Sequence, residues 1–125
     1  MLLVGIFAFC AGVIIVLALP MMRGRVRPNG LYGLRTAATF ADESVWYEAN
    51  ARSGFELLLL GVLLLVLAVA LPFFGLAHAA YGLTWSVVAV IGAVAVAVVG
   101  WRRADRLLAE RRADKPQPES ALHRA

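Results

Sequence analysis

Three long apolar runs dominate the chain, and its polar positions gather between the first and second runs and after the third. Leu2 to Met22 is apolar almost throughout, and at about 1.5 Å rise per residue it matches a hydrocarbon layer of about 30 Å. Phe55 to Phe74 is richer still in Leu and Val, side chains that each favour insertion by about 0.3 to 0.6 kcal/mol near the membrane centre. The third run, Gly82 to Trp101, has Tyr81, Trp85 and Trp101 near its ends, the places where amphipathic rings sit at headgroup level. This pattern predicts an all-α integral membrane protein with three transmembrane helices at about residues 2–22, 55–74 and 82–101. Pro20 is tolerable in the last turn of the first span, where water can satisfy the freed carbonyl. A cleaved signal peptide is the competing reading of that span, but its positive charges follow the apolar run and no A-x-A-like site precedes them.

The stretch from Pro28 to Gly54 breaks the apolar pattern, and any function readable from sequence should lie there. Pro28-Asn29-Gly30 suits a tight turn, and Gly33 adds a second flexible point. A helix start is expected from Thr39 onward. Thr39 or Asp42 would cap free N–H groups, Asp42 and Glu43 would complement the dipole, and the helix would run unbroken into the second span. On that helix Trp46, Asn50, Ser53 and Gly54 share one face, and Glu48, Arg52 and Glu56 form a second line at i, i+4. Residue by residue the bland readings are an interfacial ring for Trp46, a topological charge for Arg35 and a solvated ladder for Glu48, Arg52 and Glu56.

Composition agrees with the pattern: 62% hydrophobic residues and a mean hydropathy of +0.79 exceed the roughly half apolar content of soluble domains. In 125 residues there is no room for a soluble domain beside the spans. The expected organisation is one membrane domain over residues 1–114, including the motif loop 23–54, followed by a flexible tail over 115–125.

Charge placement then predicts orientation. All 12 Lys and Arg residues fall in two places, Arg23, Arg25, Arg27, Arg35 and Arg52 before the second span, and the remainder after the third. The positive-inside rule makes both regions cytoplasmic, giving an N-out, C-in multi-pass protein of the cell membrane. The basic segment RRADRLLAERRADK after the third span reads as a juxtamembrane helix ended by Pro116 and Pro118. Each cation there is worth about 1 kcal/mol of attraction to anionic headgroups, and direct nucleic-acid binding is not expected because Asp105, Glu110 and Asp114 interrupt the run.

Small residues recur at Gly54, Gly61 and Ala68, at Gly5 and Gly12, and at Ala89, Ala93 and Ala97. Such stripes let helices approach closely within one chain or in a homo-oligomer, although Ala and Gly are also common in membrane helices generally. The single cysteine, Cys10, reads as a packing residue. Phe9 before it excludes a lipoprotein site, which needs a small residue there. No metal or cofactor is expected, because His78 and His123 fall on opposite sides of the membrane. An enzyme is disfavoured, since no nucleophile, base and orienting group converge, and a proton-coupled transporter lacks an ionisable group well inside any span.

The combination Asn29-x3-Gly33-x-Arg35-Thr36, then Thr39, Trp46-x3-Asn50 and x3-Gly54, resembles the signature of the SdpI family of small bacterial membrane proteins. The resemblance covers about 27 residues and the span that follows. It departs from the family pattern at Asp42, where Ser is common, and at Ala37, where Pro is often seen. It implies a protein that binds, since the family's best-known member, a longer chain, is an immunity protein against a secreted peptide toxin and is described as a receptor that sequesters a transcriptional repressor. The partners so implied are a peptide toxin or a cytoplasmic repressor. A structural or accessory subunit of a membrane complex is the alternative.

Arg35 should be held by a carboxylate, Glu48 or Glu56. The loop from Asn29 to Gly54 should fold as a compact cap that binds a partner through the Trp46 and Asn50 side of its helix, with Asn50 bonded to loop backbone or to a bound group.

Overall fold

The structure, a computed structural model, describes residues 1–115. The expected flexible tail, apart from Lys115, lies outside the described residues, as does His123. Three helices in it are long and apolar enough to cross a membrane. The first, α1 (Leu2–Met22), matches the expected span. A five-residue helix, α2 (Ala37–Ala41), precedes α3 (Glu43–Ala70), which leads into a 3-10 turn at Leu71–Phe74. The last, α4 (His78–Ala113), is 36 residues long and so reaches about 54 Å, well beyond a bilayer core.

The central helix is α3, which packs along α1 on one side and α4 on the other. The expected small stripe Gly54, Gly61, Ala68 makes the first contact possible. A Cβ on Gly54 would lie 2.5 Å from the Met22 backbone nitrogen, and one on Gly61 would lie 2.7 Å from Ile15. Across this seam α1 contributes Ala11 and Ala18, both fully buried. The expected stripe Gly5, Gly12 is a correction: a Cβ at either would meet nothing within 4 Å, because helical phase turns those glycines away from α3. Cys10 likewise faces outward.

Toward α4 the close approaches are Gly92 on Leu60 and Gly100 on Ser53, whereas Ala93 and Ala97 are exposed on the wall of a cleft. Two of the aromatic residues expected in the interfacial belt are instead inside the bundle. Tyr81 and Trp85 are buried and donate hydrogen bonds to the Ala68 and Leu64 carbonyls, both at 2.9 Å. Phe7 stacks on Trp85 with centroids 4.4 Å apart, bringing α1 to α4 at this end. The physical reason is that an indole or phenol facing hydrocarbon does better with a carbonyl partner than without one. Trp101 remains exposed.

Candidate functional site

The polar stretch folds into a cap over the end of the bundle where α1 stops, α3 starts and α4 runs past. It begins with a Schellman closure of α1. Gly24, at φ +62, lets its N–H reach the Met21 carbonyl and the Arg25 N–H reach the Pro20 carbonyl, both at 3.0 Å. The sequence signal for this closure is Gly24 itself, a glycine just past an apolar run.

Asn29 then builds the predicted turn. Its side-chain oxygen accepts from the Leu31 and Tyr32 N–H groups at 2.9 and 2.7 Å, and its amide donates to the Arg27 carbonyl at 2.8 Å. Arg35 donates to the Gly30 carbonyl across that turn. The expected pairing of Arg35 with Glu48 or Glu56 is therefore a correction. Those carboxylates are engaged by α4, with Arg103 on Glu56 at 2.5 Å and Arg111 on Glu48 at 3.0 Å. Arg52 is exposed and enters no ion pair among the described residues.

Thr36 and Thr39 form a reciprocal capping box around α2. The Thr36 hydroxyl accepts from the Thr39 N–H at 3.2 Å and the Thr39 hydroxyl from the Thr36 N–H at 2.9 Å. Thr39, expected as a possible start of the long helix, is thus the third residue of a separate short one. Asp42, in extended conformation, breaks the two helices apart and caps α3 by accepting from the Ser44 N–H at 2.8 Å. The Ser44 hydroxyl and then its N–H hold the Asp42 carboxyl below its ordinary value. From Glu43 the helix does run unbroken into the second span, as expected.

Trp46 and Asn50 tie α3 to the loop. The fully buried Trp46 indole donates to the Val26 carbonyl at 2.9 Å. The Asn50 side-chain oxygen accepts from the Leu34 N–H at 2.6 Å, while its amide donates to the Trp46 carbonyl at 2.9 Å and the Leu34 carbonyl at 3.4 Å. Gly33, at φ +103, must lack a side chain, since a Cβ would lie 2.5 Å from that Asn50 oxygen. The expected bond from Asn50 to loop backbone is present. The expected partner surface on this face is a correction, because at 0% and 1% exposure Trp46 and Asn50 have no area to offer a partner.

The cap's outer wall is the end of α4. Ala104, Leu107 and Leu108 pack on Ala38, Val45, Ala49 and Leu34. The basic segment expected to rest on headgroups without a protein partner therefore forms part of the cap. Arg102, Arg106 and Arg112 stay exposed, as do Arg23, Arg25 and Arg27. The surface the cap does present carries Leu31, 94% exposed, and Phe40, 56% exposed, with Arg35 exposed between them in sequence.

The SdpI/YfhL family model matches residues 25–108, from the residue that closes α1 to the last residue packing α4 on the cap. The chain belongs to the SdpI/YfhL family. No curated protein and no solved structure compared with it matches. In this SdpI-family chain the motif positions Asn29, Gly33, Arg35, Thr36, Thr39, Trp46, Asn50 and Gly54 are the residues that hold the cap together and seat it on the bundle. Every one makes a contact within the chain, and none but Arg35 is exposed.

Proposed function

We propose that this SdpI-family protein acts by binding, with the cap as a preorganised platform on the cytoplasmic face that recruits a soluble regulator of acidic surface. The observation that carries this is how the cap's residues divide. Its shape-determining side chains are consumed internally, so Leu31 and Phe40 are held outward, and Arg25 and Arg27 of the same loop are exposed with them. Large apolar side chains fixed in place cost little entropy to bury against a partner, and surrounding cations speed encounter with an anionic one. The cytoplasmic placement rests on the positive-inside rule, since both arginine-rich regions meet at this end of the bundle. Immunity to a secreted peptide toxin would use the opposite face or the spans, and an accessory subunit would use the outward faces of α1 and α4.

Reporter fusions at Ala79 should read outside and those after Ala113 should read cytoplasmic. A photo-crosslinking amino acid at Leu31, in cells, should then capture a water-soluble protein, and the double variant Arg25→Glu, Arg27→Glu should reduce capture about tenfold. Capture of integral membrane proteins alone would favour the accessory subunit. Loss of toxin resistance on deletion, with full resistance in a Leu31→Asp, Phe40→Asp double variant, would favour immunity without the cap surface.

A further inference from the structure

Along its length α4 is fastened to α3 unevenly. As far as Arg103 the two helices are close: Gly100 lies on Ser53, where a Cβ would be 2.7 Å from the hydroxyl, and Arg103 pairs with Glu56, both side chains 26% exposed. Past Arg103 the contact thins. Ala104, Leu107, Leu108 and Arg111 fall at i, i+3, i+4 and i+7 and so share one face, whose apolar members pack on Leu34, Ala38, Val45 and Ala49. Ala104 is fully buried there, but Leu107 and Leu108 are half-buried and every residue from Ala109 to Ala113 is exposed. The outermost tie is Arg111, which donates from Nη1 to Ser44 Oγ at 2.8 Å and from Nη2 to Glu48 at 3.0 Å. With side chains 43% and 37% exposed, that ion pair is screened by salt and holds weakly.

We propose that residues 104–113 of α4 form a strap, clasped by Arg111, that opens and closes while the bundle stays folded, and that the closed strap holds α2 in place. A helix end tied down by two half-buried leucines, one alanine and an exposed ion pair belongs to the least stable part of a fold, and a stretch that short frays in water once undocked. The element with most to lose is α2. At five residues it has no stability of its own. It is held by Phe40 against the Trp46 ring, centroids 5.4 Å apart, and by Ala38, which is buried in the cluster that the strap closes. Opening the strap removes the second of these supports and loosens the backbone that carries Phe40. The consequence for binding rests on the reading of Phe40 as partner surface: a bound partner then favours the closed strap, and the closed strap favours the partner, by the same factor.

The test is hydrogen exchange of the full chain in lipid nanodiscs, read by mass spectrometry, together with Leu31 photo-crosslinking in cells. Arg111→Glu, which sets a carboxylate against Glu48, should speed exchange at residues 104–113 and 37–41 about fivefold and leave residues 82–100 at the wild-type rate. The charge-swapped variant, Arg111→Glu with Glu48→Arg, should return both segments to the wild-type rate. Unchanged exchange at 104–113 in Arg111→Glu, or a faster strap over an α2 that keeps its protection, would each overturn the proposal. So would acceleration that extends through residues 82–100, which is global destabilisation and not a strap. Capture at Leu31 should fall in Arg111→Glu and recover in the charge-swapped variant. Absence of capture in wild type counts against the binding reading alone, because exchange decides the strap.

Discussion

At the cap end the backbone leaves the helix between Met22 and Ala37, and side chains of Asn29, Trp46, Asn50, Thr36 and Thr39 meet the exposed amides and carbonyls. At the far end the chain reverses between Leu71 and Ala77, and much less needs repair. The N–H that an α-helix would bring to the Ala68 carbonyl belongs to position 72, a proline, and the Tyr81 hydroxyl occupies that carbonyl instead. Polar side chains thus follow the amount of irregular backbone at each end of the bundle. Close to lipid, each unpaired backbone group is costly, so a long loop must bring its own partners while a short turn needs one or two.

The cap end is most sensitive at Asn50. Asn50→Leu should free the cap from α3 and lower stability by about 3 kcal/mol, since the N–H and C=O of Leu34 both lose a partner. The measurement is unfolding in mixed micelles together with trypsin cleavage at Arg35, which should become fast. Wild-type melting and protease resistance in this variant would mean that apolar packing by Trp46 alone holds the cap.

A smaller loss is expected at the far end. Tyr81→Phe keeps the ring against Phe7, with centroids 5.2 Å apart, and removes only the bond to Ala68, so it should cost about 1 kcal/mol and leave cap proteolysis unchanged. Accelerated cleavage at Arg35 in Tyr81→Phe would show that the two ends are coupled through α3 and are not independent closures.

The smallest effect is the pH response of the α3 cap. Because hydrogen bonds from Ser44 depress the Asp42 carboxyl below its ordinary value, the stabilisation is complete above the unfolded-state value of about 3.9 and is lost as pH falls through the lower folded value. Hydrogen exchange at Ser44 to Trp46 should accelerate only below that range. Asp42→Asn, which still caps, should abolish the pH dependence without exposing the helix start at neutral pH.

Much of the cap was legible because its signals are local. The Asn29 turn, the Asp42 cap and the need of Asn50 for a backbone partner all follow from residue type and short-range spacing. The pairing of Glu48 and Glu56 was not, since their partners Arg111 and Arg103 lie 63 and 47 residues away. The line of charges on α3 showed that partners were needed, but only the docking of α4 selected which arginines supplied them and left Arg35 to the Gly30 carbonyl. Trp46 is the same case. Its spacing placed it on a face with Asn50, yet whether that face met lipid, a partner or the chain itself depended on where the loop folded.

By itself, the sequence determined the three long apolar helices, the single polar segment among them, and the gathering of every Lys and Arg into two regions. These depend on hydrophobic transfer and charge, which each residue carries wherever it packs. Tertiary structure alone decided that the 36-residue α4 closes the cap, that Ala11 and Ala18 and not Gly5 and Gly12 form the α1 seam, and that the Ser53 and Tyr32 hydroxyls are buried without a hydrogen-bond partner among the described residues. Those outcomes depend on helical phase and on contacts between residues far apart in the chain, where a rotation of a single residue position exchanges a buried side chain for an exposed one.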